Sequence, residues 1–495
     1  MNSKRFLSFS FFLFLSIVLF SETGYKIDSV EYNITGATRV HPLKNAIKID
    51  KKKTFSNHEV FELYLIDLNI QFNNLRVFES AKVEAEYGIP NEENIIPVHL
   101  IVTTEDTVNI IALPKPGFDS NTGFEFKIKL KNYNFFGSMR ELDSDINYEH
   151  DENGNHSFSG AVSFAIPFEY RGYSFSWDIS SSLTLPLGDP VIYDFSTGLD
   201  MEIPFTFFDL HVGFVQSIAI NDRDDDKVFY EDDNVYFTEK IYVNLPITLA
   251  KIGSNGEIVW KPQVSFSANW DFDTIQADDL KGPVFSIGHA LSAGRIDWQK
   301  NFRNGFSAEI GNTYEFNFHK DKDPEIQFIA MVQGHTSFFD RIGLSSRLTA
   351  FYNLCGYISE DQGNKLRGIL DKRINTNTAT FLNIDIPVRI MRVDFKEITG
   401  ISWTKYISFE MQVSPFFDMA LTHDYERNSY YKLDDGWYSG GLELIVYPLK
   451  MRSIYARASV GFDLAEVISS GKLSGYSERD GKSIREIFVG IGLYY

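Results

Sequence analysis

From Gly123 onward the sequence alternates apolar and polar residues in run after run, and it does so to its last residue. In the C-terminal "REIFVGIGLYY", Ile487, Val489, Ile491, Leu493 and Tyr495 share one face, while Phe488, Gly490, Gly492 and Tyr494 share the other. That is the period of a β-strand. In water such a strand is an adhesive hydrophobic edge, so something must cover it. After Phe20 no apolar stretch reaches the about 18 residues that a membrane-crossing helix needs. The alternation therefore leaves two choices, a soluble β-rich protein or a closed barrel.

Composition favours the barrel. Aromatic residues make up 15% of the 495 residues, with 44 Phe and 25 Tyr, and they lie in short alternating runs suited to strands that meet lipid. "GFEFKIKLKNYN" sets Phe124, Phe126, Ile128 and Leu130 against Glu125, Lys127, Lys129 and Lys131. "SFSGAVSFAI" repeats the pattern with Phe158, Val162, Phe164 and Ile166, and "YSFSWDI" with Tyr173, Phe175, Trp177 and Ile179. Apolar-Pro-apolar triplets at 166–168, 185–187, 203–205, 245–247 and 386–388 predict strand ends, because proline cannot donate to a β-ladder. At roughly 23 residues per strand and connection, the chain beyond residue 120 predicts about sixteen strands. The acidic stretches "NDRDDDK", with Asp224 to Asp226, and "YEDDN" read as solvated loops. A formal net charge of -20 leaves no basic footprint for nucleic acid.

The N-terminus is organised differently. Lys4 and Arg5 precede an apolar stretch from Phe6 to Phe20, which predicts a signal peptide over residues 1–24 and hence export. Residues 25–106 predict a small α+β domain in the order β-α-α-β-β. Its long helix is expected to start at a Ser56 to Glu59 capping box and to bury Val60, Leu63, Leu68 and Phe72. Residues 107–122, punctuated by Pro114, Pro116 and Gly117, read as a linker, and residues 123–495 as the barrel. Cys355 is the only cysteine, so no intramolecular disulfide forms, and it is expected to be a small buried or lipid-facing residue. The ten His residues show no metal spacing, and neither a nucleophile elbow nor a phosphate-cradling glycine pattern occurs. The sequence therefore points to no enzyme and to no cofactor.

These features together resemble the Omp85 superfamily, which includes outer-membrane barrel-assembly factors and two-partner secretion transporters. The small domain resembles a single POTRA domain, with Gly36 after its first strand and "NNLRVFESAKVE" as the helix-end-to-strand segment. "GFEFKIKLKNYNFFGSMREL" is similar to the first barrel hairpin of the family, where Asn134 precedes the turn of Phe136 and Gly137. "NKLRGILDKR" resembles the signature of a long loop that folds back into the lumen, carried by Leu366, Arg367, Gly368 and Ile369, with Ile369 in place of an aromatic residue. "FLNIDIPVRI" supplies Asp385, and "PFFDMAL" supplies Asp418 with Ala420 where the family has Gly. Gly490, Leu493 and Tyr495 match the C-terminal assembly signal.

The resemblance implies a transmembrane antiparallel barrel in the bacterial outer membrane with its N-terminal domain in the periplasm. Arg367 in a lumen needs an acidic partner, and the resemblance implies Asp418 and Asp385; the alternative is an exposed loop arginine. The edge strand near Val77, Phe78 and Val83 is expected to capture clients by strand addition, or else the domain is a plug or spacer. Gly490 and Gly492 either ease curvature or weaken a seam that templates incoming strands. The implied partners are unfolded outer-membrane or exported proteins, outer-membrane lipid and accessory lipoproteins, and the implied job is assembly or translocation. A dedicated secretion channel and a passive porin or surface antigen are the alternatives.

Overall fold

The computed structural model describes residues 23–119, 123–150, 156–205, 208–223, 228–253, 256–319, 323–425, 428–452 and 455–491. The signal-peptide stretch up to residue 22, Asp224 to Asp226, and Leu493 and Tyr495 of the terminal motif lie outside the described residues.

The N-terminal domain runs β1 (Gly24–Thr35), α1 (Val40–Ala46), β2 (Thr54–Phe55), α2 (His58–Asn74), β3 (Phe78–Tyr87) and β4 (Ile95–Asp106). Its sheet has the order β2-β1-β4-β3, with β1 and β4 parallel. The expected β-α-α-β-β order thus gains only a two-residue strand. The helix face differs from expectation: Phe61, Leu65, Leu68 and Phe72 are buried, while Val60 and Leu63 are exposed. Spacings of four, three and four residues keep the first set on one stripe, which Val60 and Leu63 miss. The cap is Asn57, whose side chain accepts from the Val60 amide at 2.9 Å, not Ser56. Ile27, Phe55, Phe78, Val98 and Leu100 complete the core.

The rest of the chain is one closed barrel. Its first strands are β5 (Ile110–Asp119), β6 (Gly123–Asn132), β7 (Leu142–His150), β8 (His156–Tyr170), β9 (Tyr173–Pro186), β10 (Ile192–Pro204) and β11 (Asp209–Ile220). Next come β12 (Val235–Asn244), β13 (Ile247–Lys251), β14 (Glu257–Trp270), β15 (Val284–Gln299), β16 (Phe302–Asn317), β17 (Glu325–Phe338) and β18 (Ile342–Asn353). The last are β19 (Thr378–Asp385), β20 (Val388–Val393), β21 (Phe409–Asp424), β22 (Ser429–Tyr430), β23 (Trp437–Pro448), β24 (Ala456–Asp463) and β25 (Arg485–Ile491). β25 lies beside β5, which covers the terminal edge.

Two sequence expectations change here. Residues 107–122 are not all linker, because Ile110–Asp119 is a barrel strand. Pro114 and Pro116 stand two apart, so their missing N–H groups fall on one side of β5 and leave the other ladder intact. The proline triplets end β9 and β10, but those at 245–247 and 386–388 interrupt strands that continue as β13 and β20, and Pro167 lies within β8. With those two pairs joined and β22 taken as a bridge on the end of β21, the described residues make eighteen crossings, within the roughly two or three strands to which the expected sixteen is defined. Two-residue turns such as Arg171-Gly172 shorten the repeat below the assumed length.

The alternation sorts as a lipid-facing wall requires. On β6, Ile128 and Leu130 are exposed on the outside, whereas Lys129 pairs with Asp143 at 3.2 Å and Lys131 with Asp143 at 2.7 Å on the inside. "YEDDN" is not simply solvated: Asp233 is buried and accepts from the Ala277 amide at 2.6 Å, stapling two loops. Cys355 is exposed, which leaves the lipid-facing one of the two expected placements.

The domain is seated on one end of the barrel and touches turns spread around its circumference. Lys48 pairs with Glu202 and Asp209 at 2.9 and 2.8 Å, Asp67 with Arg295 at 2.7 Å, and His41 with Glu169 at 3.3 Å. Asn74 bonds the Trp298 amide at 2.9 Å, and Lys450 pairs with Glu79. Arg76 stacks on Trp298 with 4.2 Å to the ring centroid, and burial, with Arg452 nearby, lowers its pKa to about 10. The tightest fit is at the turn after β6. Asp106 accepts from the Thr38 hydroxyl at 2.7 Å and from Asn134 Nδ2 at 3.1 Å, and the Arg39 amide donates to the Gly137 carbonyl at 2.9 Å. A Cβ on Gly137, which has a φ of 69°, would lie 1.8 Å from the Ala37 carbonyl oxygen. Gly137→Ala is therefore expected to unseat this corner of the domain. Hydrogen exchange on the full-length protein should show the segment around Arg39 losing protection while the β15–β17 ladder is unchanged.

Candidate functional site: the lumen loop and its ion cluster

The connection between β18 and β19, residues 354–377, is long enough to turn back into the barrel, and its sequence gives it reasons to do so. Leu366, Ile369 and Ile374 are fully or almost fully buried and pack with Ala379, Phe381, Ala420 and Trp437 of the wall. A residue cluster of this kind would strand apolar surface in water if the loop stood outside. Two 3-10 turns, Gln362–Lys365 and Asp371–Arg373, fold the loop on itself, and the Gln362 amide donates to the Ile374 carbonyl at 2.8 Å. Asn383 of β19 donates to the Lys365 carbonyl at 2.9 Å.

Arg367 is the centre of the contact. It is 4% exposed, so its charge must be matched by protein groups. Its Nε and one terminal nitrogen reach the two oxygens of Asp418 at 2.9 and 2.7 Å, the bidentate fork that suits guanidinium and carboxylate. Its other terminal nitrogen donates to Asp385 at 2.6 Å, and its backbone amide donates to Asp418 at 2.9 Å. The guanidinium also lies over the Phe416 ring, 3.9 Å from the centroid. The structure thus brings together Arg367, Asp418 and Asp385. Leu366 and Ile369, the other loop-motif side chains, anchor the apolar cluster, and Ala420 sits buried in the same cluster.

Gly368 has a requirement of its own. With a φ of 94° it lies flat on β24, and a Cβ there would come within 2.5 Å of the Phe462 amide nitrogen. Gly461 matches it, since a Cβ on that residue would meet the Gly368 nitrogen at 2.6 Å. The Gly368 amide donates to Glu486 of β25 at 2.5 Å, so the loop is bonded to the terminal strand itself.

Several participants escaped sequence reasoning. Glu443 of β23 lies 3.7 Å from Arg367 and 3.2 Å from Arg457 of β24, which in turn stacks on Phe488 of β25 at 4.1 Å. The signal for Glu443 was its place between Leu442 and Leu444, both exposed, on the inward phase of "SGGLELIVY". Arg373 forms a second cluster, pairing with Asp463 at 2.9 Å and Asp480 at 2.6 Å. Nothing local marked it, because Asp480 lies in the loop between β24 and β25.

The remaining sequence candidates fall elsewhere. Gly490 faces Arg457 in the ladder, and a Cβ there would collide with the Phe488 ring at 2.3 Å, so this glycine makes room for the ring that carries Arg457. β3 is the edge of the domain sheet, but Val77 precedes it, and the Phe78 and Val83 side chains point into the core. What β3 offers outward is backbone, and Arg452 already reaches the Phe78 carbonyl at 3.3 Å.

Removing Arg367 leaves two carboxylates buried without their main partner. Arg367→Met should cost about 3–5 kcal/mol of barrel stability. Asp385→Asn, which keeps a hydrogen-bond acceptor beside the guanidinium, should cost about 1–3 kcal/mol. Urea unfolding of the detergent-folded barrel, followed by its loss of gel-shift heat modifiability, checks the order.

No protein-family model matches the sequence, and no curated protein matches it significantly. Solved structures do. CdiB from Escherichia coli superposes with a TM-score of 0.50 at 11% identity, over 94% of this chain and 76% of that one. CdiB from Acinetobacter baumannii gives 0.48 at 13%, over 94% and 73%. BamA from Haemophilus ducreyi lacking POTRA domains 1–3 gives 0.38 at 11%, over 94% and 84%. At such identities the likeness concerns the fold alone, a closed antiparallel barrel behind a small α+β domain.

Proposed function

We propose that this chain is an outer-membrane factor that helps client proteins fold into or cross that membrane, with its N-terminal domain in the periplasm. The observation that carries the reading is the height of the wall beside the seam. β24 has 8 residues and is followed by α4 (Leu464–Ser470), which comes after α3 (Phe395–Thr399) among the described residues; β15 and β16 have 16 each. At about 3.3 Å per residue and roughly 40° of tilt, β24 spans roughly 20 Å and β15 roughly 40 Å. A hydrocarbon core of about 30 Å is spanned in full by the far wall and not by β24 beside the seam. Lipid beside β24, β25 and β5 is then thinned, which lowers the barrier for an incoming strand to pair there by β-augmentation.

Two further features fit the same job. The bond from Gly368 to Glu486 ties the lumen loop to β25, so that a displaced loop and an altered seam go together. The outward backbone of β3 from Ser80 to Tyr87 offers a strand edge that an unfolded outer-membrane or exported client can extend. No step of this mechanism calls for a cofactor or for bond-making chemistry. A passive porin is disfavoured by the loop inside the lumen and by the domain seated across one mouth.

Quantitative proteomics of outer-membrane fractions after depletion tests the proposal, with wild-type and Arg367→Met chains for complementation. The expected result is loss of several barrel proteins, restored by the wild type and poorly by the variant. Loss of a single exported protein would identify a dedicated secretion channel instead, and an unchanged profile would leave the passive-barrel reading.

A further inference from the structure

At the domain-bearing end most hairpins close with short turns, as barrels of this kind do. The connection from β20 to β21, residues 394–408, is an exception. It holds α3 and a 3-10 turn, Ser402–Ile407. It is built inside out. Some of its polar groups are bonded to one another at its base: Asp394 accepts from the amides of Lys396 at 3.0 Å and Glu397 at 3.4 Å and from the Ser408 hydroxyl at 3.2 Å. The hydroxyls of Thr399 and Thr404 bond at 3.0 Å, and Thr404 and Ser408 are buried. The large apolar side chains point out. Ile398 is 69% exposed and Trp403 62%, with Ile401, Tyr406 and Ile407 exposed beside them.

The patch continues into its neighbours. The Arg389 amide donates to the Arg341 carbonyl at 2.8 Å, which sets the start of β20, the strand that leads into this connection, beside the β17–β18 turn, where Phe339 is almost fully exposed. Below both lies the outer wall, with Leu344, Leu348 and Ile390 exposed. Lys396 and Lys405 balance Asp394 and Glu397 in this segment, and Arg392 precedes it, in a chain whose net charge is -20.

We propose that residues 394–408 form a membrane-surface foot, which seats Ile398, Ile401, Trp403, Tyr406 and Ile407 in the headgroup layer of the periplasmic leaflet. The occupant of the patch is phospholipid. Two features select it: the surface is continuous with the lipid-facing wall, and its aromatic residues, with Lys396 and Lys405 beside them, are those that hold interfacial segments. Placed on the wall at β20 and β21, the foot fixes the depth and tilt of the barrel in its membrane. The inference rests on the membrane placement of the barrel.

The test uses the full-length chain in vesicles of phosphatidylethanolamine and phosphatidylglycerol, with Cys355→Ser as background and a nitroxide attached at Ile398→Cys or Trp403→Cys. Leu348→Cys supplies the lipid reference and Glu92→Cys the water reference. The expected result is an oxygen-to-nickel accessibility ratio at the foot several-fold above that at position 92 and approaching that at position 348. A ratio equal to the water reference, with position 348 still reading lipid, would overturn the foot while leaving the barrel's placement intact; water-like values at position 348 as well would mean that the membrane reading itself had failed. Shielding of the foot from both reagents would mean a protein contact or a second copy, and would also overturn the proposal. Quenching by brominated phospholipid, compared between the wild type and Trp403→Phe, gives a second reading in an uncleaved, unlabelled chain: the quenched fraction should fall in the variant, and an unchanged fraction would contradict the foot.

Discussion

The guanidinium of Arg367 is the point on which the interior of this barrel depends. It is attached to a loop, yet it is satisfied only by the wall, through Asp418 on β21 and Asp385 on β19. A buried charge of this kind adds little net stability when paired and costs several kcal/mol when its partner is taken away. Its effect is therefore one of position. The loop has one place where its arginine is paired, its leucine and isoleucines are covered, and Gly368 can lie against Gly461.

The consequences run outward from that contact. Because the Gly368 amide is bonded to Glu486, the loop is fastened to β25 as well as to the strands on its other side. Glu443 and Arg457 extend the ion cluster to Phe488, and Arg373 fastens the loop to the connection between β24 and β25. The terminal strand, which opens the question of what covers a hydrophobic edge, is held by β24, by β5 and from inside by the loop. At the domain-bearing end the ion pairs of Lys48, Asp67 and Glu79 spread the attachment over several turns, so that no single surface pair, worth about 0–1 kcal/mol, controls it. The turn of Asn134 and Gly137 differs, because its fit is steric.

Much of this was legible in the sequence. The period of two gave the barrel, and it set Lys129 and Lys131 of β6 on the face opposite Ile128 and Leu130. The pairing of Arg367 with acids on later strands was reached through resemblance, since no local pattern joins residues 51 positions apart. What failed did so for physical reasons. Pro114 and Pro116 suggested a linker because proline is usually excluded from strands, but two prolines in the same phase spoil only one side. The face of α2 was right at Leu68 and Phe72 and wrong in its first half, because Val60 and Leu63 are apolar and exposed, and helices tolerate such residues singly. Glu443, Arg373 and Glu486 were missed because their partners are distant in sequence and each stands alone as an ordinary charged residue.

Backbone hydrogen exchange at Arg367 and Gly368 measures the seating of the loop directly. Neither amide belongs to a strand ladder; one is bonded to the Asp418 carboxylate and the other to Glu486. A loop held in the lumen predicts protection of both amides comparable to that of the β21 ladder. Exchange at both as fast as in the exposed connection around Lys472 would contradict the account, because the loop would then spend its time outside the barrel.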